Sequence, residues 1–113
     1  MHHDTLTRLL SALADPTRLG ALALLWKGQE LCVCELMERL DVTQSRMSRH
    51  MAVLKAAGLV VDRRDAQWVR YRRNPRLPAD AKRVISAVMV ASQTLAKRRS
   101  GVAQSASRTE ALR

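Results

Sequence analysis

Two short apolar stripes separated by a three-residue turn constrain this chain most. Val33, Leu36, Met37 and Leu40 recur at i, i+3, i+4 and i+7, the spacing of one helix face. Asp41-Val42-Thr43 then interrupts the pattern, with Thr43 placed to cap a further helix. Met47, His50, Met51 and Leu54 resume the period in that helix, which is expected to run to about Ala57 and stop at Gly58. The opposite side of this second helix carries Gln44, Ser45, Ser48, Arg49, Ala52 and Lys55, which are small or hydrogen-bonding side chains. A short helix, a tight turn and a helix with such a face predict a helix-turn-helix, whose second member enters the major groove of DNA.

The flanking sequence completes the unit. Leu6, Leu9, Leu10 and Leu13 predict a first helix, and Asp15-Pro16 restarts the chain with an N-cap residue and a proline suited to the first helical position. A second helix follows through Leu19, Leu22, Leu25 and Trp26 and ends near Gly28. Beyond Gly58, the runs Leu59 to Arg64 and Trp68 to Arg73 read as two strands joined by a hairpin loop over Asp65-Ala66-Gln67. Their arginines Arg63, Arg64, Arg70 and Arg72 predict a clamp on the DNA backbone, while Gln44, Ser45, Ser48 and Arg49 are expected to read base edges and nearby phosphates. A last helix is predicted from Ala79 to about Lys97. The expected fold class is mainly α with a small β-hairpin, a winged helix-turn-helix forming a homodimer. Residues 1–99 would make the DNA-binding and dimerisation domain, and residues 100–113 a disordered tail.

Charge supports a nucleic-acid partner. The chain of 113 residues holds 20 Lys+Arg against 10 Asp+Glu, a formal charge of +10. Up to Ser45, four basic residues face six acidic ones, so the remainder carries 16 basic and 4 acidic residues and should face DNA. Aromatics supply only 3% and phenylalanine is absent, so the core must be Leu, Val, Ala and Met. Val84, Ile85, Val88 and Met89 form more apolar face than a small domain can readily bury, and with Leu6 and Leu9 they are the expected dimer contacts. The N-terminus lacks a positively charged leader, and no apolar run approaches membrane-spanning length, so a cytoplasmic location without membrane contact is expected.

Cys32 and Cys34, the only cysteines, stand just ahead of the predicted reading helix. In a reducing compartment such a pair reads as a ligand or redox group rather than a staple, and two thiolates favour soft ions. If both lay on a regular helix they would point about 200° apart, because each residue turns roughly 100°. Joint chelation would then require the backbone between them to unwind, and the same divergence would resist a disulfide. Both flank the apolar stripe and are not expected to be central core residues. His50, on the inner side of its helix, reads as a packed, hydrogen-bonded histidine.

Leu13-Ala14-Asp15-Pro16-Thr17-Arg18-Leu19, Glu30-Leu31-Cys32-Val33-Cys34-Glu35-Leu36, Gln44-Ser45-Arg46-Met47-Ser48-Arg49-His50-Met51 and Ala57-Gly58-Leu59-Val60 together resemble the ArsR/SmtB family of metal-sensing repressors, and more narrowly its arsenic-responsive branch. The resemblance runs from about Leu6 to Tyr71. It implies a winged-helix homodimer paired through its first and last helices, bound to double-stranded operator DNA when ligand-free and released by As(III) or Sb(III) at Cys32 and Cys34. No other cofactor is implied. Several arsenic-responsive relatives carry a third cysteine three positions after the second, where this chain has Met37. The zinc-responsive branch places histidine and carboxylate ligands on the last helix, whereas this chain has histidines only at positions 2, 3 and 50. The rival readings are a constitutive or thiol-redox-regulated DNA binder and a thiol enzyme. The last is disfavoured because no Cys-x-x-Cys in a βαβ context is present.

Overall fold

The computed structural model describes residues 3–109. In chain order the elements are α1 (His3–Leu13), α2 (Pro16–Leu25), β1 (Leu31–Cys32), α3 (Val33–Leu40), α4 (Gln44–Ala56), β2 (Val60–Asp65), β3 (Trp68–Arg73) and α5 (Ala79–Thr109). The helix starts follow local chemistry. Asp15 adopts an extended conformation and accepts the Arg18 N–H at 3.0 Å, with Pro16 in the first turn. Thr43 caps α4 in the same way, accepting from the Arg46 N–H. Asp41 ends α3 in the left-handed region at φ 54°, a conformation that Asp tolerates better than branched residues. Gly58 leaves α4 at φ 78°, where a Cβ would be strained.

The chain divides into two compact units, one running to Ala81 and one from Lys82 along α5. In the first, Leu22, Leu25, Leu36, Met47, Met51, Leu54, Leu59 and Val60 are fully buried. Each such side chain contributes roughly 1.5–3 kcal/mol of transfer free energy, so aliphatic and Met side chains, without phenylalanine, supply the burial that draws α2, α3 and α4 together. The α2–α3 approach is close enough that a Cβ on Gly20 would meet Leu40 Cδ2 at 3.0 Å.

The wing is larger than the sequence predicts. Strands β2 and β3 pair antiparallel around a two-residue turn at Ala66-Gln67, and β1 adds to the other edge of β3, giving the order β1-β3-β2. Leu31 lies opposite Tyr71 and Cys32 opposite Arg70. The apolar stripe of the third helix, extended back over the good helix-forming residues Glu30 and Leu31, predicts a start around Glu30; residues 31 and 32 are instead a strand, and α3 starts at Val33. Both side chains are buried and their backbone is paired with β3, which outweighs a weak local helix preference.

In α5, Ala81, Ile85 and Met89 are buried, Val84 and Val88 are half-buried and Val90 is exposed. The helix continues to Thr109, past Ser100 where a disordered tail was expected. The segment after residue 97 contains no proline, and a single glycine lowers helix stability without ending it. The final residues of that expected tail, 110–113, lie outside the described part. No described helix is long and apolar enough to cross a membrane.

Candidate functional site

The cysteine pair sits at a junction. Cys32 is the last residue of β1 and the N-cap of α3, with extended backbone at φ −80° and ψ 162°. Its N–H donates to Glu35 Oε1 at 3.0 Å, the reach-back contact that the third helical residue makes to a cap. Cys34 lies in the first turn of α3. The Cα atoms are 5.3 Å apart and the two sulfurs are bonded to each other. This corrects two expectations. The sulfurs converge without any unwinding, and the divergence argued against a disulfide does not arise, because only one of the two residues is helical. The flanks also differ: Cys32 is buried, contrary to its expected position beside the core, whereas Cys34 is exposed. Met37 is half-buried on the same helix.

Around the pair, carboxylates of the acidic N-terminal half meet arginines of the wing. Arg63 donates to both oxygens of Glu30, at 2.9 and 2.7 Å. That hydrogen bond holds the Glu30 carboxyl below its ordinary range and raises the Arg63 guanidinium. Arg70 donates through Nε to Asp65 Oδ2 at 3.0 Å and places Nη1 3.9 Å from Glu35. Arg63 and Arg70 are register partners, and like charges directly opposite are destabilising, so these carboxylates relieve the pair.

Of the four arginines predicted to clamp DNA, two are thus occupied. The other two, Arg64 and Arg72, are exposed and make no ion pair with a described residue. They are not on one face. Side chains alternate along a strand, and the register places Arg72 with Val61, Arg63, Arg70 and Cys32, while Arg64 shares the other face with Val69 and Tyr71.

The reading helix matches its expected face. Gln44, Ser45, Ser48 and Arg49 are all exposed on α4, and Met47, Met51 and Leu54 are buried beneath. His50 is half-buried, with Nδ1 3.2 Å from Arg18 Nη1 and 3.7 Å from Asp15 Oδ2. Arg46 is exposed beside Arg49 and was not singled out by its position in the sequence. Of the expected dimer residues, Leu9, Ile85 and Met89 are buried, whereas Leu6, Val84 and Val88 are half-buried. Leu10 and Val90, at 45% and 63% exposure, are the larger open apolar side chains of α1 and α5.

Residues 15–61 match the family described as bacterial regulatory protein, arsR family. Over 78 residues the chain is 47% identical to the arsenical resistance operon repressor of Escherichia coli K12, covering 69% of this chain and 67% of that one. The chain belongs to the arsR family of bacterial regulatory proteins. The arsR-family fold is equally plain in solved structures. HlyU from Vibrio cholerae superposes with a TM-score of 0.67 at 36% identity, covering 78% of this chain and 94% of its own. A homodimeric winged helix-turn-helix DNA-binding domain from Mycobacterium bovis gives the same score at 28% identity, covering 84% of each chain. The chain spans about two thirds of the length of the curated relatives it matches.

Proposed function

We propose that this arsR-family chain is a transcriptional repressor whose homodimer holds operator DNA until As(III) or Sb(III) is captured by Cys32 and Cys34. The observation that carries the reading is the position of Cys32. It ends the strand that pairs with the wing and caps the helix that packs on the reading helix. Reduction of the Cys32–Cys34 bond by a cellular dithiol frees two thiols at a Cα separation of 5.3 Å, and as thiolates they suit a thiol-seeking ion. A change at Cys32 and Cys34 is transmitted both to β3, through the Cys32–Arg70 register, and to α4, through α3. Release then requires the ligand to prefer the conformation that binds DNA poorly, and DNA weakens ligand capture by the same factor.

Gel shifts on the chain's own promoter, with and without arsenite under reducing conditions, test this. Cys34→Ser, at an exposed position, should bind the operator normally and no longer release it. A variant that still releases at the wild-type arsenite concentration rules out the two-sulfur site. The bonded sulfurs favour one second reading, control by thiol oxidation at the same pair. Release by a disulfide oxidant such as oxidised glutathione, in the absence of any metalloid, would select it.

A further inference from the structure

The exposed side of α4 is two surfaces. Beside the row that reads bases, Arg46, Arg49, His50 and Val53 follow one another at i, i+3, i+4 and i+7 and, with Arg18 from α2, line a cleft of about 310 Å³. Arg18 is held in place. Its Nε donates to Ala12 O at 2.7 Å, Nη2 to Ser11 O at 3.4 Å and Nη1 to His50 Nδ1 at 3.2 Å. A guanidinium has five N–H groups, so two remain for another acceptor. Because arginine can only donate, Nδ1 of His50 accepts, and a neutral ring carries its proton on Nε2.

Arg46 and Arg49 are exposed, and neither side chain has a hydrogen-bond or ion-pair partner among the described residues. Asp15, which is engaged by the Arg18 N–H, lies 3.7 Å from the His50 ring. The residues that line the cleft include three guanidiniums and no carboxylate, which makes it positive, and arginine forks suit the oxygens of a phosphate.

We infer that the cleft of Arg18, Arg46, Arg49 and His50 binds one backbone phosphodiester of the duplex, flanking the segment that α4 reads. The inference rests on the proposal that α4 lies on operator DNA. Arg49 belongs to both rows, so the occupant of the cleft lies within side-chain reach of the groove. The phosphate is thus a register contact, which positions the helix without carrying sequence information itself.

The test uses the full chain under reducing conditions, with wild type and Arg46→Gln titrated onto operator and unrelated duplexes over a salt series. Losing one phosphate contact per protomer should lower the slope of log affinity on log salt by about 0.9 for each, about 1.8 for the dimer, or roughly eighteenfold in affinity near 0.2 M salt, equally for both duplexes. A scan of single neutral methylphosphonates through the operator should find one position in each half-site that weakens wild type by roughly fourfold and leaves Arg46→Gln unaffected. Arg18→Lys, with its melting curve as a folding control, should lose affinity at the same position.

An unchanged salt slope, or no position at which the two proteins differ, overturns the assignment. So does a loss confined to one base pair, because that is base reading. Saturable binding of inorganic phosphate, abolished by Arg46→Gln with the salt slope unchanged, would give the cleft to a free anion instead. A wild-type protein that fails to bind its operator refutes the functional reading itself.

Discussion

Replacing Glu35 separates two roles that one carboxylate combines. Its Oε1 accepts the Cys32 N–H at 3.0 Å and also lies 3.9 Å from Arg70 Nη1, with both side chains partly exposed. An ion pair at that separation and exposure contributes about 0–1 kcal/mol and is screened by salt. The hydrogen bond satisfies the N–H of a buried cap residue, and losing a contact of this kind costs about 1 kcal/mol. Glu35→Ala should therefore destabilise the protein by about 1 kcal/mol, near 4 °C in melting temperature for a domain of this size. Glu35→Gln keeps an oxygen at the cap and should lie within about 0.5 kcal/mol of wild type. Urea and thermal unfolding by circular dichroism, at one fixed protein concentration with the thiols reduced, would measure both. If glutamine proves as costly as alanine, the charge rather than the cap dominates and the link from Cys32 to Arg70 must be reassessed. If alanine is neutral, α3 does not depend on this cap.

Three further outcomes are expected. Met37→Cys should add a third thiolate one turn after Cys34 and tighten arsenite binding while changing methylarsenite affinity little, as followed by Trp26 fluorescence; unchanged arsenite affinity would mean that residue 37 does not face the ligand. Asp15→Ala should cost about 1 kcal/mol at neutral pH; the Arg18 N–H first of all holds the Asp15 carboxyl below its ordinary 3.8, so this contribution is complete above about pH 4 and is lost as pH falls through the lowered folded value. A stability difference that persists undiminished at pH 2 in urea titrations would contradict that assignment. Arg72→Ala should lower the salt slope of DNA binding by about 0.9 per protomer, whereas Arg63→Ala should lower it less because Glu30 already holds that guanidinium; equal losses from the two would show that the Glu30 pair opens on DNA.

The helices and their caps were legible in the chain because their causes are local. The i, i+3, i+4 recurrence that marked Leu36, Met47, Met51 and Leu54 is the recurrence that buries them, and Asp15-Pro16 and Thr43 act within one turn of themselves. The exposed face of α4 follows from the same period. What lay beyond the sequence depends on partners far along the chain. Leu31 and Cys32 are a strand because Tyr71 and Arg70 lie opposite them, and that pairing lets the two sulfurs meet. Glu30 and Glu35 sit more than thirty residues before the arginines they engage, so a count of wing charges could not reveal which were already occupied. Strand register placed Arg64 and Arg72 on opposite faces. Periodicity gives a residue a direction relative to its own backbone. Whether that direction ends in core, solvent, carboxylate or DNA is decided when distant segments are brought together.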